Sequence, residues 1–303
     1  MGEAAGDLAA THNFVVVRTG AVLDASGAQA TLDLVGRGPN AVASDGGLIS
    51  ITSNNGLYLD GTLRAQAGGA GAAGGTLNIA LEGPEYRNTA VERVLSPRIL
   101  TVAAVQGASD LTADVAPNQA ETLAYGHGRI GADTIAAGGF DNLSLLSQGT
   151  IAFDGDVKLA LDQSLHLYSQ NLALSRAAPA DSEVALSAAH VLLAGAMRSE
   201  NRPFLISPGG AEAPTRPSDA SLTVTADLID VRDNVMFLGT SFDQVKLDSR
   251  GDLRFLAAAQ AGGITMLVTP QNLTLRAAQL YPTTMAQARV LVGTLTGLSL
   301  IHI

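Results

Sequence analysis

The sequence contains no cysteine and no tryptophan, and aromatic residues make up 4% of its 303 positions. The first absence excludes disulfides, thiolate nucleophiles and cysteine-ligated metals. The second, with only 5 Tyr and 7 Phe, leaves few flat rings for stacking on sugars or bases. Charge is scarce as well: Asp, Glu, Lys and Arg total 15%, against about 25% in an ordinary soluble domain. The balance of 18 basic and 28 acidic residues gives a net charge of -10. With no Lys/Arg run to displace counterions from phosphates, nucleic acid is excluded as an expected partner. Long hydrophobic runs are also missing. The most apolar stretches, Val184 to Met197 and Phe255 to Val268, are broken by Ser, His, Gln or Gly and fall short of the roughly 20 residues that cross a bilayer. Met1 to Ala10 has neither a basic region nor an apolar one, so it is not expected to be a secretory signal.

What is abundant is small and aliphatic: 47% of residues are hydrophobic and 33 are Gly. This suits a thin core of stacked Val, Leu, Ile and Ala layers better than a compact enzyme core. Apolar residues recur two apart in short bursts, which is strand spacing. The bursts include Leu143-Ser-Leu145, Ile151-Ala-Phe153, Val157 to Leu161, Leu165-His-Leu167, Leu172-Ala-Leu174, Val184-Ala-Leu186 and Val191-Leu-Leu193. A second block has Leu222-Thr-Val224, Ile229-Asp-Val231, Val235-Met-Phe237, Val245-Lys-Leu247, Leu253-Arg-Phe255, Ile264-Thr-Met266 and Leu273-Thr-Leu275. Turn-formers such as Asp154-Gly-Asp156 separate them. The bursts also recur over a longer interval of roughly 20 residues, as Leu143, Leu165, Val184 and as Ile151, Leu172, Val191.

Alternation alone also fits a sandwich, but a sandwich does not demand the longer period. The expected fold class is therefore all-β, a right-handed parallel β-helix (solenoid) with loop excursions, running as one array over residues 1–297. About 12 to 13 coils at roughly 4.8 Å each make a rod of about 60 Å. The stretches 82–98, 110–128 and 198–219 break the alternation and are expected to leave the coil as loops, where binding is commonly carried. Leu298-Ser-Leu-Ile-His-Ile303 looks like translated adapter sequence, so 298–303 is expected to be a non-native tail.

From Gly46 to Gly83 the chain reads GGLISITSNNGLYLDGTLRAQAGGAGAAGGTLNIALEG, with Gly-Gly turns, Ser/Thr-rich strands and Asn-Gly or Asp-Gly turns. The style continues through Ala136 to Leu145 and Leu247 to Phe255. It resembles the filamentous haemagglutinin family of exoproteins over most of the chain, about Leu48 to Pro282. The resemblance implies a structural shaft or adhesin segment of a secreted Gram-negative surface protein. It further implies export by an outer-membrane two-partner secretion transporter and attachment to a host-cell or bacterial surface receptor. The family's Asn-Pro-Asn-Gly secretion turn is absent, Ser53-Asn-Asn-Gly56 being the nearest match. An internal segment is therefore expected. The resemblance leaves two further readings, the stalk of a contact-dependent toxin-delivery filament and a polysaccharide-cleaving β-helix.

Candidate chemistry is sparse, and neither catalysis nor a cofactor is expected. Gly69-Ala-Gly-Ala-Ala-Gly74 has dinucleotide-binding spacing, but the alternating Thr76 to Leu81 after it points to a Gly-rich corner rather than a helix start. Arg250-Gly251-Asp252 is an integrin-type tripeptide between two strand bursts and is the candidate receptor-binding turn. The histidines at 12, 127, 166, 190 and 302 have no metal-ligand spacing along the sequence. His166 and His190 lie in strand bursts, and His127, between Gly126 and Gly128, is expected in a loop. Acidic residues sit in many turns, among them Asp24, Asp33, Asp60, Asp154, Asp156, Asp227, Asp230 and Asp248. Coil stacking would have to align them before they could serve a glycan-cleaving site.

Overall fold

A computed structural model of the chain describes residues 14–36, 38–82, 98–109, 124, 126–195, 218–238, 241–259, 261–269, 271–293 and 299–302. The three expected excursions lie almost wholly outside these residues, and only their ends fall within them. The protein is all-β, 59% strand and 3% helix, with long parallel sheets that do not close on themselves. Among the described residues one sheet has ten strands and another eleven, and two small two-stranded sheets accompany them. Every strand pair of the long sheets is parallel except the last, where Ser299–His302 lies antiparallel to Ala288–Val292.

The alternating bursts explain this arrangement. In the eleven-stranded sheet Ile49, Leu77, Leu143, Leu165, Val191, Ile229 and Leu253 are direct cross-strand neighbours in that order. A second file two residues on runs Ile51, Ile79, Leu145, Leu167, Leu193, Val231 and Phe255. All fourteen side chains are buried. In the ten-stranded sheet Leu100, Ile151, Leu172 and Phe237 form an equivalent file. All of these files belong to one contiguous core. Each buried aliphatic side chain stabilises the fold by roughly 1.5 to 3 kcal/mol. A one-residue slip of any strand would turn its whole file to solvent, which fixes the register.

Several details depart from the sequence reading. Val184 and Val191 do not continue two separate series. Both lie on one twelve-residue strand, Glu183–Ala194, whose first half pairs with Lys158–Ala160 and whose second half pairs with Ser164–Tyr168. Ser187-Ala-Ala-His190 contains no Gly, Asn or Asp, so nothing interrupts the strand there. Ser221–Arg232 is a second such strand, pairing with Gln244–Ser249 and then Asp252–Phe255. The partner of Leu172 is thus Phe237, not Val191. At Ile264-Thr-Met266 the phase is reversed: Thr265, Leu267 and Thr269 are buried, and Met266 stands between them on the outer side.

The stacking is also not strictly sequential. His127–Gly131 enters the ten-stranded sheet between Gly56–Leu59 and the earlier strand Arg98–Ala103. A helix, Ala132–Ala137, follows it and packs against Thr62–Arg64 and Lys158–Ala160 with Ile135 buried. Three of its six residues are Ala, the best helix former, and Gly131 and Gly138 bound it. Near the amino end Gln29–Leu34 and Gly38–Ala43 form an antiparallel hairpin rather than part of the parallel array.

Candidate functional site

The outer face of the eleven-stranded sheet carries polar side chains between the buried files. Ser144, His166, Leu192, Asp230, Arg254 and Tyr281 are successive cross-strand neighbours. Two residues back along the strands, on the same face, lie Asn142, Ser164 and His190. His166 and His190 are therefore diagonal neighbours on adjacent strands, with ring centroids 5.2 Å apart and His166 Nε2 3.4 Å from His190 Nδ1. His190 Nε2 lies 3.0 Å from Asp230 Oδ2. Arg254 grips the same carboxylate through Nε to Oδ1 at 2.7 Å and a terminal nitrogen to Oδ2 at 2.8 Å. The Asp230 side chain is 5% exposed, whereas those of Arg254 and His190 are 32% and 35% exposed.

The electrostatics follow from this chain of contacts. An arginine-bound carboxylate is an acceptor, so His190 Nε2 is the nitrogen that donates to Asp230. His166 is held below the ordinary imidazole pKa, first by burial and then by repulsion from His190, while Asp230 pulls the other way. Arg254 is held above its ordinary value by its bond to Asp230. The ring of Tyr168 stands edge-on to His166 at 6.2 Å. Tyr168 also lines an open groove of about 300 Å³ with Ser50, Thr52, Asn78, Ser144 and Arg232.

Arg250 and Gly251 bend the chain between the strands Gln244–Ser249 and Asp252–Phe255, and Asp252 is the first residue of the second strand. The turn lies down on the neighbouring strand. Arg250 N–H donates to the Ala226 carbonyl at 2.8 Å and Gly251 N–H to the Asp227 carbonyl at 2.9 Å. The Arg250 guanidinium, 71% exposed, pairs with Asp227. The Asp252 carboxylate accepts a bond from the Tyr281 hydroxyl at 2.9 Å, which raises the Tyr281 pKa. Arginine charge is thus presented to solvent, while the aspartate is already engaged.

His127 opens the strand His127–Gly131 after Gly126, whose φ is +82°. It lines a second groove, about 510 Å³, with Tyr58, Asp60, Ser109 and Arg129. Gly69 to Gly74 leads into the strand Gly75–Leu81, as its alternation indicates. Many of the scattered carboxylates are paired with bases rather than with one another: Asp24 with Arg64, Asp154 with Arg129, Asp227 with Arg250, and Asp248 with Lys246 and Arg276. Among the described residues no group of three or more His, Asp and Glu converges as a metal cage, and no helix is long and apolar enough to cross a membrane.

Sequence reasoning passed over the pairing of His166 with His190, because they stand 24 residues apart and no linear motif has that spacing. The signal was the longer interval between bursts, which brings the chain back to the same outer face after about that length. Comparison of the chain with family models, curated proteins and solved structures gave no match.

Proposed function

We propose that the chain is a stretch of right-handed parallel β-helix serving as the shaft of a secreted bacterial surface protein of the filamentous haemagglutinin type. Its work is reach and display, with attachment to a receptor carried by turns and loops on the shaft. The observation that carries this reading is the file of seven buried side chains from Ile49 to Leu253, each directly above the last. Parallel pairing of strands whose paired residues lie 22 to 66 positions apart in the chain lets each winding cover the apolar face of the one before, so the body extends in one direction by about 4.8 Å per layer. The outer-face acids support mechanical rather than glycan-cleaving work, since so many are neutralised by Arg or Lys.

The test is export. Fused behind an amino-terminal two-partner secretion module and produced with its outer-membrane transporter, residues 14–293 are expected at the cell surface, where protease added outside reaches an epitope in the segment. Retention inside the cell, while the module alone is exported, overturns the reading.

A further inference from the structure

We infer that His166 and His190 form a surface site for a divalent transition-metal ion, zinc(II) by its geometry. The two facing nitrogens, His166 Nε2 and His190 Nδ1, are 3.4 Å apart. With zinc–nitrogen bonds of about 2.0 to 2.1 Å, that separation corresponds to an angle of roughly 110° at the metal, the tetrahedral value. Adjacent positions of a square plane at similar bond lengths would set the nitrogens about 2.9 Å apart, closer than the two rings stand here.

The surroundings suit the role. Asp230 accepts from His190 Nε2 at 3.0 Å and leaves Nδ1 as the donor atom, the carboxylate–histidine–metal arrangement that fixes tautomer and ring orientation. Arg254 fixes the carboxylate in turn through two bonds. With both rings neutral and no ion bound, His166 Nε2–H donates to His190 Nδ1, since His190 Nε2 is the nitrogen that donates to Asp230. On binding, His166 takes the Nδ1–H tautomer through solvent exchange, the ion replaces that shared hydrogen, and no net proton is released. The half-exposed rings leave the two remaining tetrahedral positions to water.

Chelator-treated protein titrated calorimetrically with zinc(II) is expected to take up one equivalent per chain, and cobalt(II) at the same site to give the visible absorption of a tetrahedral complex. His166→Asn and His190→Asn should each abolish that equivalent while keeping the parent circular dichroism spectrum. Asp230→Asn should weaken it roughly 10- to 100-fold. His127→Asn, on the other sheet, should bind as the parent does. Absence of saturable binding, or binding that survives either imidazole substitution, overturns the inference.

Discussion

Arg254 and Asp230 meet through two parallel hydrogen bonds, across a direct cross-strand position, and only one of the pair is buried. The Asp230 carboxylate is nearly sealed from water, whereas the guanidinium reaches it. The cost of breaking the pair should therefore depend on which partner is removed. Asp230→Ala leaves a half-wet cation and is expected to cost about 1 to 2 kcal/mol, while Arg254→Met strands a buried carboxylate and should cost about 2 to 4 kcal/mol. Urea unfolding at pH 8 compares them. Equal losses, or the reverse order, would contradict the burial argument.

Phe242 touches two other rings edge-on, Phe153 at 6.4 Å and Phe237 at 6.5 Å, and is 2% exposed. Truncation to Ala removes a large volume from between strands that cannot close up without losing register. Phe242→Ala is expected to lower stability by about 3 to 5 kcal/mol. A loss below about 1 kcal/mol in denaturant unfolding would show that the site collapses freely.

The Tyr281 phenol titrates above its ordinary 10.0, chiefly because its hydroxyl donates to Asp252. A raised folded-state pKa means the bond contributes stability in full below the unfolded value of about 10 and loses it as pH rises through the folded value. Asp252→Asn should bring the Tyr281 titration down toward 10, followed by ultraviolet absorbance or NMR. The same variant tests the integrin-type turn, since it removes the carboxylate that such a receptor would need. An unchanged Tyr281 titration would show that the hydroxyl has another partner.

Gly149 is fixed by close approach rather than by an unusual backbone angle. A Cβ placed there would lie 2.0 Å from the Arg98 carbonyl oxygen on the neighbouring strand. Gly149→Ala must push two hydrogen-bonded strands apart, at an expected cost of at least about 2 kcal/mol. Wild-type stability in thermal or urea unfolding would mean that the layers yield easily.

The strands and their inward residues were legible because alternation is a local property, visible in Leu143-Ser-Leu145 or Leu253-Arg-Phe255 without any partner. Which burst sits over which was less legible. Val191 carries the same local pattern as Leu172, and only the uninterrupted run from Ser187 to His190 tells that it continues the strand begun at Val184. Met266 shows a further limit: where Thr fills inward positions, as at Thr265 and Thr269, hydropathy marks the wrong phase. The outer-face chemistry was hidden for a geometric reason. His166, His190, Asp230 and Arg254 come from four strands and meet only once the layers are stacked.

The place of His127–Gly131 bears on how the molecule assembles. A chain emerging amino end first offers Arg98–Ala103 before its lower neighbour exists, so that strand cannot be laid directly on Gly56–Leu59 in its final position. The gap waits until the segment past residue 126 arrives. Assembly through this region is therefore not a one-way zipper: Arg98–Ala103 reaches its place beside Gly56–Leu59 only together with the later strand that lies between them.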